Sequence, residues 1–440
     1  MSASESDSIS QMEVYMGEEK RDRDAEFSFM KEKIKEQPLY RNPWLRRIAT
    51  AVICGFLFAL AAVAVWAFVL PWVRFRTEKQ EVKQFELPAE ETTVEEDVTE
   101  TEEESPIYIT ETVSMEVEDY RKLYQQLMQL GNQVEKSLVN IAAVSTDTDW
   151  FDETYTTQNS VCGTVVGDNG VELLILTEYA EISNGDQLLV TFFDHTTASG
   201  TLKKYDRNTG LAVVSVNLGD IEDGTRELVQ GVEVGSSRSV RSGEPVIAVG
   251  SPMGTFGSVL FGNLTSVSQS AELYDSAYNI LTTNIAGVDS GSGVLVNLDG
   301  KVIGFIQNQC EVQAQKDTIQ AYGISDLKEV IEHLSNNQDI VYMGIVGADV
   351  TTAISETENI PIGVYVSEVQ LNSPAIRAGI QPGDIITSIS GQPVTNQKDM
   401  MSVLLKCADG QSIQVVCERP SKTEYQELTF TVELKVLEKL

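Results

Sequence analysis

Histidine is almost missing from this sequence: His195 and His333 are the only two in 440 residues. Chemistry that needs several imidazole ligands, or a histidine base at a chosen place, has little to draw on. Positive charge is also scarce, with 32 Lys and Arg against 66 Asp and Glu and a net charge of −34. That balance excludes nucleic acid as the main partner, because phosphate binding draws on clustered cations. Cysteine is sparse too. Cys54, Cys162, Cys310, Cys407 and Cys417 are scattered, imply no disulfide framework, and show no CxxC or His/Cys spacing for a metal. No metal and no cofactor are expected. Apolar residues are not lacking: 42% hydrophobic and 22% charged residues exclude wholesale disorder.

The chain is organised in blocks. Residues 1–47 form a polar front segment, followed by an uncharged run from Ile48 to Val73. As a helix that run rises about 39 Å, enough to cross a hydrocarbon core of about 30 Å with tilt. Arg46, Arg47, Arg74 and Arg76 bracket it, and the closer Lys and Arg residues favour an N-terminus inside. The expectation is one uncleaved span in a cell membrane, with a cytoplasmic tail and extracytoplasmic C-terminal domains. Residues 74–113 are crowded with glutamate and threonine and read as an acidic, disordered linker. Residues 114–136 carry Tyr120, Tyr124, Leu127 and Val134 near a 3.5-residue repeat and predict an amphipathic helix, weakened at Gly131. Docking on its own domain or a trimer seam are its two uses.

From residue 137 the texture turns to short apolar runs such as LLILT, LAVVSV and KVIGFI, separated by Asp-Gly and Asn-Gly turns. Strands at about ten-residue spacing predict a mainly β fold, an antiparallel barrel or sandwich over 137–336. A helix over Asp326–Leu334 closes it, and a smaller unit with strands and one helix occupies 340–440.

Within these blocks, VCGTVVGDNGVELLILTEYAEI (161–182), YDRNTGLAVVSV (205–216), VRSGEPVIAVGSPMG (240–254) and TTNIAGVDSGSGVLVNLDGKVIGFI (282–306) resemble the HtrA/Deg serine proteases. The last unit, with YMGI and SPAIRAGIQPGDIITSISGQPV, resembles the PDZ domain of that family. The resemblance implies a trypsin-like double β-barrel followed by a PDZ domain, and a homotrimer as the assembly.

The chemistry departs from the family. A serine protease needs a serine oxygen, a histidine to take its proton and a carboxylate to orient that histidine. The family's motifs place Ala180 at the histidine position, Gly210 at the carboxylate position and Gly291 at the nucleophile position. Ser290 stands one residue early and is the residual candidate. Asp289 falls where a glycine shapes the oxyanion hole. His195 and His333 read as surface or capping residues.

The PDZ unit keeps its pattern. Tyr342, Met343, Gly344 and Ile345 match the loop whose N–H groups read a C-terminal carboxylate, and Met401 and Leu404 are plausible walls of the pocket for the last side chain. The expected function is therefore a membrane-anchored HtrA-like homologue with a degenerate triad. It would bind unfolded proteins or polypeptide C-termini through its PDZ domain, as a scaffold or adaptor in envelope protein quality control. The alternative is an active HtrA-type endopeptidase.

Overall fold

The computed structural model describes residues 83–87, 116–148, 154–307, 317–422 and 424–437. The Ile48–Val73 run lies outside them. Among the described residues no helix is long and apolar enough to cross a membrane.

Six strands, β1 (Leu138–Thr148), β2 (Thr154–Asp168), β3 (Glu172–Glu178), β4 (Gln187–Thr191), β5 (Thr197–Asp206) and β6 (Leu211–Asn217), close a first barrel in the order β1-β2-β3-β6-β5-β4. Another six, β7 (Pro245–Ser251), β8 (Ser258–Leu273), β9 (Ser276–Ala286), β10 (Ser292–Val296), β11 (Val302–Gln307) and β12 (Thr318–Gly323), close a second in the order β10-β11-β12-β9-β8-β7. The apolar runs are continuous rather than alternating because both faces of these strands are buried. In β3, Leu173 and Ile175 fill the first barrel while Leu174 and Leu176 face the seam between barrels. In β6, Ala212, Val214 and Val216 point inward and Leu211 and Val213 point to the seam. Period-two alternation thus supplies two cores from one strand.

Three helices frame this domain: α1 (Val117–Glu135), the single turn α2 (Tyr179–Ile182) and α3 (Asp223–Leu228). The helix expected over 114–136 docks on its own domain, with Leu127, Leu130 and Val134 against the seam core. Gly131 has a packing reason. A Cβ there would lie 2.6 Å from a Val259 methyl, so glycine lets the helix approach, at about 1 kcal/mol of intrinsic helix propensity. The closing helix α4 (Ile324–Ser335) lays Ile324, Leu327, Val330, Ile331 and Leu334 onto the seam, a stripe at helical spacing.

The linker expected over 74–113 is interrupted. Phe85 and Leu87 are buried against the seam core, and Phe85 N–H and carbonyl are both bonded by the Asn336 side-chain amide, at 2.9 and 3.0 Å. Leu87 N–H donates to Glu332 at 3.0 Å. Two apolar side chains in KQFEL outweigh the acidic surroundings at this point.

The PDZ unit comprises β13 (Val341–Tyr342), β14 (Ile345–Val350), α5 (Thr352–Glu358), β15 (Gly363–Val369), α6 (Pro374–Ala378), β16 (Ile385–Ile389), β17 (Gln392–Pro393), α7 (Gln397–Leu404), β18 (Ser412–Pro420), β19 (Tyr425–Glu433) and β20 (Lys435–Val436). Its main sheet runs β14-β15-β16-β18-β19, so β14 is an edge strand. The SPAIRAG segment folds locally by its own punctuation: Ser373 caps α6 by accepting from Ile376 N–H, Pro374 opens it, and Gly379 ends it at φ +101°. Arg419 then ties Asp384 with two bonds of 2.6 and 2.8 Å.

Candidate functional site

Two places concentrate polar chemistry: the seam between the barrels, and the loop before β14.

At the seam, β3 ends in Glu178 and turns into α2, which carries Ala180 on an exposed position. The turn before β6 ends in Gly210, whose carbonyl accepts from Tyr179 N–H at 2.8 Å. Gly210 has φ +74°, and a Cβ there would lie 2.7 Å from Nε2 of Gln307. The Gln307 side chain, projecting from the end of β11, therefore occupies the space that a side chain at 210 would enter. Gly291 is buried in the turn before β10, and its N–H donates to the Val288 carbonyl at 2.7 Å. Asp289 and Ser290 are exposed beside it.

Ser292 is buried and its Oγ accepts from Cys162 N–H at 3.0 Å, a bond that stitches β10 to β2. Burial holds the Cys162 thiol far above its ordinary range, so it is an inert core thiol. Cys407 and Cys417 are also free, while Cys54 and Cys310 lie outside the described residues.

Glu178 is the unusual group of this seam. Its carboxyl is buried, Oε1 has no hydrogen-bond partner, and burial, with Glu181 nearby, pushes it up to about 8. The buried Glu178 carboxyl and the Gln307 amide are thus the polar side chains of this part of the seam. Neither is a nucleophile, and neither touches a serine hydroxyl.

The two histidines are elsewhere. His195 is exposed at φ +67° in the β4–β5 turn. Among the described residues, neither its side chain nor that of Ser290 has a hydrogen-bond partner. His333 is half-buried in the last turn of α4 and reaches the C-cap carbonyl of α7, as the capping expectation allows. Its Nδ1 lies 2.9 Å from the Glu329 carbonyl and its Nε2 lies 2.8 Å from the Leu405 carbonyl, so the ring is a strut between α4 and the end of α7. Among the described residues no group of three or more His, Cys, Asp or Glu is placed to hold a metal.

The loop before β14 is ordered differently. Gly344 sits at φ +87°, and a Cβ there would lie 2.5 Å from Cβ of Ser373, so two independent constraints demand glycine. With that turn, the N–H groups of Met343, Gly344 and Ile345 converge on one point. They form a concave nest of donors suited to a carboxylate. The point is filled by Asp275, at the tip of the β8–β9 hairpin in the second barrel. Its carboxylate accepts from the three N–H groups at 2.6, 2.9 and 3.1 Å. Its own N–H donates to the Ile345 carbonyl at 2.7 Å. Asp275 is buried, which pushes its carboxyl up to about 6 against the pull of the three donors. Nothing in the sequence singled out this aspartate, which reads as an ordinary turn residue.

The remaining expected pocket residues divide. Tyr342 pairs with Lys435 in the β13–β20 ladder. Leu404 is buried in the PDZ core rather than lining an open pocket. Met401 faces the barrel, where Tyr278 Oη lies 3.6 Å from its Sδ.

Comparison with known proteins gives two domain matches: a trypsin-like peptidase domain over residues 162–305 and a PDZ domain over residues 326–434. The serine protease Do-like HtrB of Bacillus subtilis is 26% identical over 290 residues, covering 61% of this chain and 61% of its own. A probable periplasmic serine endoprotease, DegP-like, of Rickettsia conorii is 29% identical over 273 residues, 59% of this chain and 51% of that protein. The mitochondrial serine protease HTRA2 of Drosophila virilis is 31% identical over 288 residues, 60% of this chain and 64% of that protein. The chain thus spans between half and two thirds of the length of these curated relatives. Among solved structures, the HtrA-type protease AlgW with decapeptide superposes with a TM-score of 0.51 at 19% identity, over 71% of this chain and 99% of that one. At that identity the likeness concerns the fold.

Proposed function

We propose, from the premise that this is a trypsin-like protein of the HtrA/DegP type with a C-terminal PDZ domain, that its barrels no longer hydrolyse peptides. On this reading the chain binds polypeptides through the PDZ loop. The observation that carries it is the set Ala180, Gly210 and Gly291, which offers no base, no orienting carboxylate and no nucleophile at the family's three positions. The packing agrees, because Gln307 fills the space beside Gly210 and the Gly291 N–H is engaged by Val288. Losing a triad costs on the order of a millionfold in turnover. The relatives' names as proteases favour the second reading, an active endopeptidase using the exposed Ser290. Treatment with a fluorophosphonate probe and with unfolded casein separates the two. No labelling and no hydrolysis are expected. Labelling that vanishes in Ser290→Ala would establish the enzyme instead.

The ligand on this reading is an extended polypeptide with an apolar C-terminus, added along the β14 edge with its carboxylate on the 343–345 donors, at micromolar strength or weaker. Amidating the peptide should cost about tenfold or more in affinity, as expected for a charge-assisted hydrogen bond worth about 1.5–3 kcal/mol. The Ile48–Val73 run, by its length and flanking arginines, would anchor the chain with both domains outside the membrane, for work on misfolded envelope proteins. Protease added to intact cells should then digest epitopes beyond residue 113 and spare those before residue 40. Protected C-terminal epitopes would reverse that topology.

A further inference from the structure

The loop that should read a peptide carboxylate already holds one. A peptide's last residue makes two kinds of contact when it extends an edge strand: its carboxylate accepts from a nest of N–H groups, and its amide donates to the strand. Asp275 makes both from one residue, with three accepted bonds of 2.6–3.1 Å and a donated bond of 2.7 Å to Ile345. Its side-chain carboxylate takes the place of a terminal one.

The barrel, not the PDZ domain, aims this group. Leu273 pairs with Ser276, leaving Tyr274 and Asp275 as the two turn residues, and Asp275 stands at φ +58°. Asn208, from the β5–β6 turn, grips that turn from the other side. Its amide donates to the Tyr274 carbonyl at 2.7 Å and its Oδ1 accepts from Tyr274 N–H at 3.1 Å. Three residues further along β9, Tyr278 covers Met401 on α7. A strand could not place its carboxylate at 343–345 while the hairpin tip remains there.

We propose that Asp275 is an intramolecular ligand of the Met343–Ile345 nest, so that the β8–β9 hairpin must be displaced before a polypeptide with a free C-terminal carboxylate can bind. The proposal rests on the peptide-capture reading above and supplies its regulation. An internal competitor lowers apparent affinity by the fraction of molecules in which the nest is open. Docking and capture are mutually exclusive, so a bound peptide frees the PDZ unit from this contact with the second barrel.

The test uses the full chain, Asp275→Ala and Asp275→Asn, with a fluorescent peptide ending in an apolar residue and its amidated twin. Anisotropy should show the free-acid peptide binding about tenfold or more tightly to Asp275→Ala, and less so to Asp275→Asn, which keeps one acceptor oxygen. The amidated twin should stay weak on every chain. Amide exchange at Met343, Gly344 and Ile345 should accelerate in Asp275→Ala while β15 and β16 keep their protection, which separates an opened nest from an unfolded domain. Asn208→Ala, which leaves Asp275 in place, should give a smaller rise in free-acid affinity. Equal free-acid affinity for the unaltered chain and the Asp275 variants, with the amidated twin still rejected, would overturn the latch and leave peptide capture standing. Indifference to amidation, or no binding by any chain, would remove peptide capture and the latch with it.

Discussion

The barrel seam and the PDZ loop contrast in what their backbones and side chains present. The seam carries small residues at the three positions that the proposed reading assigns to the triad: alanine at 180, glycine at 210 and 291. The PDZ loop keeps its chemistry, three convergent N–H donors, and has them engaged by Asp275. On the proposed reading, side-chain catalysis would be lost with a few substitutions, since each atom is supplied by one residue. Backbone recognition would survive as long as the turn does, and on the proposed latch it would be controlled by occupancy instead.

Putting the side chains back tests this contrast with the largest expected effect. Ala180→His, Gly210→Asp and Gly291→Ser together should not recover turnover, leaving the chain on the order of a millionfold below a competent triad. The obstruction is local: residue 210 is held at φ +74° and a Cβ there meets Gln307 at 2.7 Å. Strain of this kind costs on the order of 1–3 kcal/mol, readable as a lowered Tm of Gly210→Asp alone. Adding Gln307→Ser should relieve part of it. Casein hydrolysis by the triple variant, with Gln307 in place, would show that the seam had kept more than its backbone.

The complementary experiment removes a donor from the PDZ nest. Gly344→Pro deletes an N–H and cannot adopt φ +87°, so it should destabilise the domain by about 3 kcal/mol or more and abolish discrimination between free-acid and amidated peptides. Urea unfolding and anisotropy report the two effects separately. Unchanged discrimination would place carboxylate recognition elsewhere in the chain.

A smaller effect sharpens the seam side. Glu178 is pushed up to about 8 by burial, against about 4.3 in an unfolded chain. The folded state therefore keeps a proton that the unfolded state loses. Stability contributed by this site is greatest below pH 4, falls as pH rises from about 4 to 8, and is level above that. Glu178→Gln should gain on the unaltered chain across that window, by a few kcal/mol at most, at about 1.4 kcal/mol per pH unit. Denaturant titrations at pH 5, 7 and 9 give the difference, in which all other titrations cancel. A pH-independent difference would mean that the carboxyl is ionised and solvated.

The strands, the order of the barrel and PDZ units and the residue types at 180, 210 and 291 are all legible in the letters. Runs such as LLILT and LAVVSV are apolar at nearly every position, broken only by Thr177 and Ser215, because the barrels bury both strand faces, and that continuity is visible in the letters. The SPAIRAG punctuation fixes its own short helix through a serine cap, a proline start and a glycine stop, all local effects. Long-range packing sets what surrounds these elements. Gln307 and Gly210 are far apart along the chain and meet only because β11 and β6 end at one seam. Glu178 becomes a buried acid pushed up to about 8 through its surroundings, not its spelling. Phe85 and Leu87 dock where composition indicated a spacer, and His333 becomes a strut when α7 packs beside α4. Asp275 is the clearest case. As a letter it is a turn residue, and it becomes a ligand only when folding brings a hairpin of the second barrel against a PDZ loop 68 to 70 residues further along. Hydrogen bonds act over about 3 Å in space, and sequence separation carries no record of which donors a carboxylate will reach.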